Sequence, residues 1–357
     1  MKIFAMDTVI DQLKAKETAE LFGNVFKETS VIVSLEQKGS FAHVGSFCRN
    51  VDTHSGNAPV FTFEDGKLVL SQAVKDGRHE LIEVDPFNYM TDFTNRISGI
   101  VDNSTMQDKT VTVIGAGGGG GAVILDLVRC GFANINVIEF DTISVSNVCR
   151  SVYNITDIGR KKAEVISEKA LAINPFVNIN VYDEDILTMD TEKLTGILQS
   201  SDIVIEGTDN IKSKLLVNGL AKDMTVVLYP AVYDMGKGGD ILITMPGLPC
   251  YACVFASILD EMKQAKRREW DYSSGQAKPM ASLISDIQVV VARTVKIAVA
   301  TLNADKDDSM FEKITEEGCT LLVISNEKGG VSFLDDPFQE KWVTTQVDSN
   351  CICQTLC

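Results

Sequence analysis

Apolar positions follow two rhythms along this chain. From about residue 110 onward, runs of four or five apolar residues alternate with stretches in which apolar positions recur every three or four residues. The first pattern is that of a buried strand and the second that of an amphipathic helix. Strands are predicted at 111–114, 135–139, 177–181, 202–206, 225–228 and 239–244, and helices at 122–130, 159–173, 191–199 and 211–222. Asn174-Pro175 stops the second of these helices, because the residue before a proline disfavours helical backbone. A longer helical pattern covers 281–303, and strands at 320–325 and 342–347 follow it. Strands alternating with helices imply a mostly parallel sheet covered on both faces.

Residues 1–88 read differently. Helical spacing is predicted over 7–26, and strands over 30–35, 41–45 and 60–70, the last turned by the hairpin dipeptide Asp65-Gly66. The expectation is a small α+β domain of three or four strands. Its role is open between packing or dimerisation and substrate recognition. Residues 89–109 are read as a linker that carries a helix, and 110–357 as the second domain.

The junction of the first predicted strand and helix is unusual. Gly115 and Gly117–Gly121 interrupt the apolar pattern, and Gly131 stands where a helix C-cap glycine belongs. Gly115, Gly117 and Gly120 have the spacing G-x-G-x-x-G between a strand and a helix. Glycine there lets the backbone turn tightly and bring its N–H groups up to a phosphate. Glu139 ends the second strand about 20 residues on, where such units hold a ribose hydroxyl. The whole is a Rossmann-like α/β fold with a nucleotide site at the carboxyl ends of its strands, where Asp209 also falls.

Composition narrows the partners. The chain has 357 residues, 45% of them hydrophobic, and a net charge of −16 from 33 basic and 49 acidic residues. That balance argues against binding nucleic acid or anionic membrane. Residues 1–12 have no signal-peptide core and no apolar run reaches the length of a membrane span, so a soluble, cytoplasmic protein is expected. Nine cysteines, an odd number, fit free or metal-bound thiols in a reducing compartment better than a disulfide framework. Three histidines, His43, His54 and His79, all precede the glycine loop. A basic knot of Lys263, Lys266, Arg267 and Arg268 lies in 257–279, either a loop over the site or a solvated face.

Further residues complete a constellation around the glycine loop. Ser146, Asn147 and Arg150 follow Glu139, in the run FDTISVSNVCR. Lys161 and Lys162 lie in DIGRKKAE, Asp209 and Asn210 in the strand-end GTDN, and Cys250 and Cys253 in PCYAC. In this order the motifs resemble the ThiF/MoeB family, the adenylating core of ubiquitin-activating enzymes, over roughly residues 95–357. The resemblance implies an ATP-dependent adenylyltransferase that activates the C-terminal carboxylate of a ubiquitin-like or sulfur-carrier protein, or of a ribosomally made peptide. It implies that Gly118 packs on the nucleotide, that Glu139 takes the ribose role, and that Asn147 and Arg150 reach the phosphates. Lys162 would neutralise them and Asp209 would hold Mg²⁺. Arg96 stands near an arginine that crosses to the other protomer's site, which implies a homodimer. The family usually has aspartate where Glu139 stands, and here Ser151 replaces the polar residue, often glutamine, that follows the arginine.

The residues support that chemistry. Attack of a carboxylate on the α-phosphate of ATP needs fixed cations and a metal ion for the departing pyrophosphate rather than a general base. Other readings stay open for single residues: Arg150 and Lys162 as surface charges, Asp209 as a helix N-cap, Cys250 and Cys253 as buried thiols or a redox pair. A tetrathiolate Zn²⁺ from Cys250, Cys253, Cys351 and Cys353 is expected, with Cys357 able to replace one tail ligand. Cys149 and Cys319 are the remaining candidates for an acyl thioester, and neither has a favourable setting, so direct transfer from the adenylate is expected. The alternative functions are a nucleotide-binding pseudoenzyme serving as a dimerisation platform and, further off, an NAD-dependent dehydrogenase.

Overall fold

The structure is a computed structural model. It describes residues 1–50, 58–73, 79–256, 281–303, 309–348 and 351. The chain divides into two compact units, Met1–Ile100 with Leu171–Phe176, and Val101–Ala170 with Val177–Cys357.

The first unit is a closed barrel of seven strands in the order β1-β3-β2-β4-β5-β6-β7. The strands are β1 (Lys2–Met6), β2 (Thr18–Phe26), β3 (Thr29–Ser34), β4 (Ala42–Cys48), β5 (Val60–Glu64), β6 (Lys67–Ala73) and β7 (His79–Phe87). Alternation sets the inward face: β3 buries Ser30, Ile32 and Ser34 and turns the residues between them outward. Ile3, Leu21, Ile32, Phe47, Phe61, Leu70 and Val84 fill the barrel, and α1 (Asp7–Leu13) plugs it with Val9 and Leu13. Asp65 and Gly66 both have positive φ, 49° and 79°, the mirror-image turn that a two-residue hairpin needs.

Two expectations for this region fail. The helix predicted over 7–26 stops at Leu13, and Thr18–Phe26 is a strand. Leu21 and Gly23 are the two buried positions of this strand, too few to set a period-2 pattern against the helical spacing that precedes them. Gly23 sits where the β2–β3 register shifts, and a Cβ there would overlap the Val31 carbonyl oxygen. The expected α+β piece of three or four strands is therefore a seven-stranded barrel. Its extra strands include β7, whose mostly exposed residues carry little apolar signal. The predicted linker forms two short helices, α2 (Tyr89–Thr94) and α3 (Asn103–Asp108). Within the first unit Tyr89 stacks on Phe93 at 4.8 Å and donates to the Ile173 carbonyl oxygen at 2.7 Å.

The second unit is built on an eight-stranded sheet, order β10-β9-β8-β11-β12-β13-β14-β15. Its strands are β8 (Thr110–Ile114), β9 (Asn134–Ile138), β10 (Asn178–Tyr182), β11 (Ile203–Glu206), β12 (Val226–Tyr233), β13 (Gly238–Thr244), β14 (Leu321–Ser325) and β15 (Gln339–Val343). β10, β9, β8, β11 and β12 run parallel, and β13, β14 and β15 continue antiparallel. This is the expected doubly covered α/β sheet. One face packs α7 (Thr191–Gln199) and α8 (Ile211–Ala221) on Ile114, Ile138, Val204, Val227 and Leu242. The other carries α4 (Gly118–Arg129), close to Val113, and α10 (Ile284–Leu302), close to Gly239. Between β9 and α7 lie α5 (Val145–Val148) and α6 (Lys162–Ile173), and α9 (Tyr251–Val254) follows β13. α6 starts three residues later than predicted, because Gly159 has φ 87° and Lys161 forms a β-bridge with Thr142. A hydrogen-bonded row of Asn180, Asn136, Thr112 and Ser201 crosses the parallel strands and satisfies polar groups that a wholly apolar sheet would lack.

Candidate functional site

β8, β9 and β11 all end at one rim of the sheet, and each hands the chain to a polar loop. β8 ends at Ile114, and Gly115 follows with φ 85°, a backbone that side-chain-bearing residues seldom adopt. The chain then enters α4. A Cβ on Gly120 would overlap the Gly115 carbonyl oxygen, so the helix starts pressed against the strand it has just left. A Cβ on Gly118 would lie 2.5 Å from the Arg150 carbonyl oxygen and 3.4 Å from Ile287 Cδ1. The glycine there makes room for the protein's own backbone. Gly117, the N-cap of α4, is different: a Cβ would meet no described residue within 4 Å. Among the described residues, open space therefore faces the start of α4, where the first backbone N–H groups lack helical partners and attract anions.

Three carboxylates surround this loop. Glu139 is buried, 6% exposed. Its Oε2 accepts from Ala116 N at 2.8 Å and its Oε1 from Asp141 N at 2.7 Å, so it ties the glycine loop to the end of β9. Asp141 is exposed and pairs with Lys162 Nζ at 2.7 Å. Glu206, the last residue of β11, is fully buried.

Lys162 is not a surface charge: its side chain is 8% exposed and pairs with Asp141. Its neighbours are used otherwise, Arg160 by Glu164 and Glu168 and Lys161 by Asp183. Tyr153, also buried, donates to the Ala116 carbonyl oxygen at 2.7 Å and to that of Lys162 at 3.5 Å, joining the glycine loop to the start of α6. Burial, followed by Glu139, Asp157 and Asp141, raises its pKa far above the usual tyrosine value, so it stays a donor. Asn147 Oδ1 accepts from Ser144 N at 2.9 Å and closes the capping box of α5, which leads into Arg150.

The β11 rim supplies the other wall. Gly207 N donates to the Ile114 carbonyl oxygen at 3.0 Å, and a Cβ on Gly115 would lie 3.2 Å from Thr208 Cγ2. The GTDN turn therefore rests on the glycine loop. Asn210, not Asp209, caps α8, accepting from Lys212 N at 2.9 Å. Asp209 is exposed, and its carboxylate has no hydrogen bond or ion pair among the described residues. The turn that rests on the glycine loop thus carries an exposed carboxylate, a hard oxygen donor of the kind Mg²⁺ takes.

Of the predicted residues, Gly115, Gly117, Gly118, Gly120, Glu139, Asn147, Arg150, Lys162, Asp209 and Asn210 belong to this connected rim. Arg96 is exposed in the first unit. Sequence reasoning missed Tyr153 and Thr208. Each looks like an ordinary core or turn residue, and only its partner reveals its part.

A second cluster lies at the start of α9. Cys250 Sγ is 3.6 Å from Cys253 Sγ and 3.6 Å from Cys351 Sγ, and all three sulfurs lie within 4.8 Å of one another. Tetrahedral thiolates about 2.3 Å from a zinc ion stand about 3.8 Å apart, so this spacing fits such a centre. Cys353 and Cys357 lie outside the described residues, as do His54 and 257–279 with its basic knot. Cys149 is exposed, whereas Cys319 is buried with Glu317 Oε2 3.8 Å from its sulfur.

The model of the ThiF family matches residues 95–309. The chain belongs to the ThiF family. Among curated relatives, this ThiF-family protein is 29% identical over 217 residues to ubiquitin-like modifier-activating enzyme 5 of Caenorhabditis briggsae, covering 57% of this chain and 50% of the relative. It is 33% identical over 157 residues to the sulfur carrier protein adenylyltransferase of Thermus thermophilus, covering 42% and 56%. The matches thus span about half the length of these relatives. Among solved structures, MccB of E. coli in complex with MccA and AMPCPP superposes with a TM-score of 0.54 at 18% identity, covering 70% of this chain and 67% of that one. PaaA superposes with a TM-score of 0.55 at 16% identity, covering 72% and 84%. These likenesses show a shared fold. Among the described residues no helix is long and apolar enough to cross a membrane.

Proposed function

We propose that this protein is an ATP-dependent adenylyltransferase that activates the C-terminal carboxylate of a ubiquitin-like or sulfur-carrier protein, or of a ribosomally made peptide, as an acyl-adenylate. The observation that carries the reading is the rim itself. Open space over Gly117 among the described residues, the exposed Asp209 on the turn that rests on the glycine loop, the buried Lys162 and the Arg150 loop are joined at this rim. The named relatives include a sulfur carrier protein adenylyltransferase, and MccB has been solved with AMPCPP and MccA.

In this reading the phosphates of ATP lie over Gly117 and the start of α4. The substrate carboxylate attacks the α-phosphorus, the bond to the β-phosphate oxygen breaks and pyrophosphate leaves. Arg150 and Lys162 offset the charge that builds on the phosphates, and Asn147 contributes from the same loop. Lys162 is held by Asp141 until phosphate competes for it. Asp209 is the residue that would hold Mg²⁺, which supplies further charge neutralisation at the leaving group. Glu139 braces the glycine loop and retains lone pairs for a ribose hydroxyl. Asn210 keeps α8 in place below Asp209.

Cys250, Cys253, Cys351 and Cys353 form a structural Zn²⁺ centre in this account. It needs reduced thiols, in keeping with a cytoplasmic protein. The chain acts as a homodimer, with Arg96 as the residue offered to the other protomer's site. The first unit serves substrate recognition or dimerisation. Incubating the protein with ATP, Mg²⁺ and a panel of small carrier proteins and peptides with free C-termini tests the reading. The product expected is a substrate heavier by one adenylyl group, together with pyrophosphate. Labelling at side chains with the C-terminal carboxylate untouched overturns it.

A further inference from the structure

We propose that Glu206 is a positioning residue whose buried carboxylate clamps the Thr208–Asn210 turn and so fixes where Asp209 presents its carboxylate to magnesium and nucleotide. The proposal rests on the reading of Asp209 given above.

Glu206 is fully buried, at the point where β11 gives way to the turn. Its Oε1 accepts from two hydroxyls, Thr208 Oγ1 at 2.5 Å and Ser213 Oγ at 2.7 Å. Its Oε2 faces Lys214 Nζ at 3.1 Å, and that ammonium is itself buried. Ser213 and Lys214 belong to the first turn of α8, so one carboxylate ties the end of the strand, the turn and the start of the helix together. Thr208 Oγ1 also accepts from the Asn210 backbone N–H at 3.3 Å. Glu206, Thr208 and Asn210 thus form a chain of bonds that passes beneath Asp209 and pins the residue on either side of it.

A buried ion pair is a poor way to gain stability, because the loss of hydration offsets most of the attraction, and an apolar pair of similar volume often does as well. Its value here is geometric. The Asp209 side chain has no hydrogen bond or ion pair among the described residues, so its direction is set by the backbone that carries it. A metal ligand displaced by about 1 Å costs up to about a hundredfold in a reaction that depends on positioning. The clamp also orients Thr208, whose methyl stands 3.2 Å from where a Cβ on Gly115 would lie, so the turn is set close against the glycine loop.

The test uses the full chain and two readouts. One is the Mg²⁺ concentration needed for half-maximal ATP affinity; the other is hydrogen exchange at the Asn210 amide without metal or nucleotide. Thr208→Val removes the linking hydroxyl and Thr208→Ser keeps it. The expected result is that Thr208→Val raises the Mg²⁺ requirement by roughly tenfold or more and speeds exchange at Asn210, while Thr208→Ser restores both. Glu206→Gln should act like Thr208→Val. Should it fail to fold with Lys214 left unpaired, the double variant Glu206→Gln/Lys214→Met removes both charges and should show the same two shifts. Asp209→Asn should abolish the Mg²⁺ dependence without changing exchange. If Thr208→Val matches the wild type in either readout, or Thr208→Ser is equally impaired, the clamp is wrong while the reading of Asp209 stands. If Asp209→Asn keeps the wild-type Mg²⁺ dependence, that reading fails and the clamp falls with it.

Discussion

The glycines of the loop differ in what stands opposite them, and this separates their roles. Gly120 faces the Gly115 carbonyl oxygen and Gly118 that of Arg150, whereas Gly117 faces open space among the described residues. Gly120→Ala should therefore cost about 3 kcal/mol or more of stability, as overpacking of a tight contact does. Gly117→Ala should leave the melting temperature within about a degree, yet weaken ATP binding, because its methyl would enter the space offered to phosphate. Calorimetry beside nucleotide titration checks both, and a Gly117→Ala protein that binds ATP normally would take the phosphates away from this loop. The spacing of glycines was legible in the sequence, but which of them faced protein and which faced space was not. That depended on Arg150, some thirty residues away.

At the scale of elements, local patterns were legible where burial was one-sided or complete. The parallel strands of the second unit announced themselves as short apolar runs, and α10 by its repeat of Ile287, Val290, Val291, Thr294 and Val295. β2 escaped because nine residues with two inward positions and a bulge carry no clear period. The site was legible as a set of motifs, while Tyr153, Thr208 and Glu206, which join the motifs, were not. Their identities are ordinary and their partners distant.

β13 carries a pH-sensitive group within the electrostatic reach of α8. Burial pushes Asp240 up to about 7, with Lys214 pulling it back toward the usual range. Its folded pKa thus lies above the unfolded value of about 3.9. The folded state then holds the extra proton between roughly pH 4 and pH 7, and this group's share of stability is lost as pH rises through 7. Asp240→Asn should melt several degrees higher than the wild type at pH 8 and show a smaller difference at pH 5. Equal differences at both values would assign the effect to packing. The thiolate cluster at α9 is another joint between elements. Purified protein should contain one zinc per chain, and Cys250→Ser should lower the melting temperature more than it weakens ATP binding. Elemental analysis without zinc would refute that centre.

The whole molecule joins a small β-barrel unit to a nucleotide-type α/β unit, and the account makes it an activating enzyme that works as a pair. Light scattering should report a dimer. Mixing Arg96→Ala with Asp209→Asn chains should recover part of the activity if Arg96 serves the partner's site. Transfer is expected to proceed without an enzyme thioester, since Cys319 is buried beside Glu317 and Cys149 lies in the Arg150 loop assigned to the phosphates, so non-reducing electrophoresis after incubation with ATP and substrate should show no reducible adduct. The most direct measurement of the central claim is exchange of labelled pyrophosphate into ATP by the wild type and by Asp209→Asn, in the presence of carrier proteins and peptides with free C-termini. Substrate-dependent exchange with Mg²⁺ is expected, reduced on the order of a hundredfold or more in the variant. Turnover of ATP to ADP and phosphate without exchange, or exchange undiminished in Asp209→Asn, would contradict it.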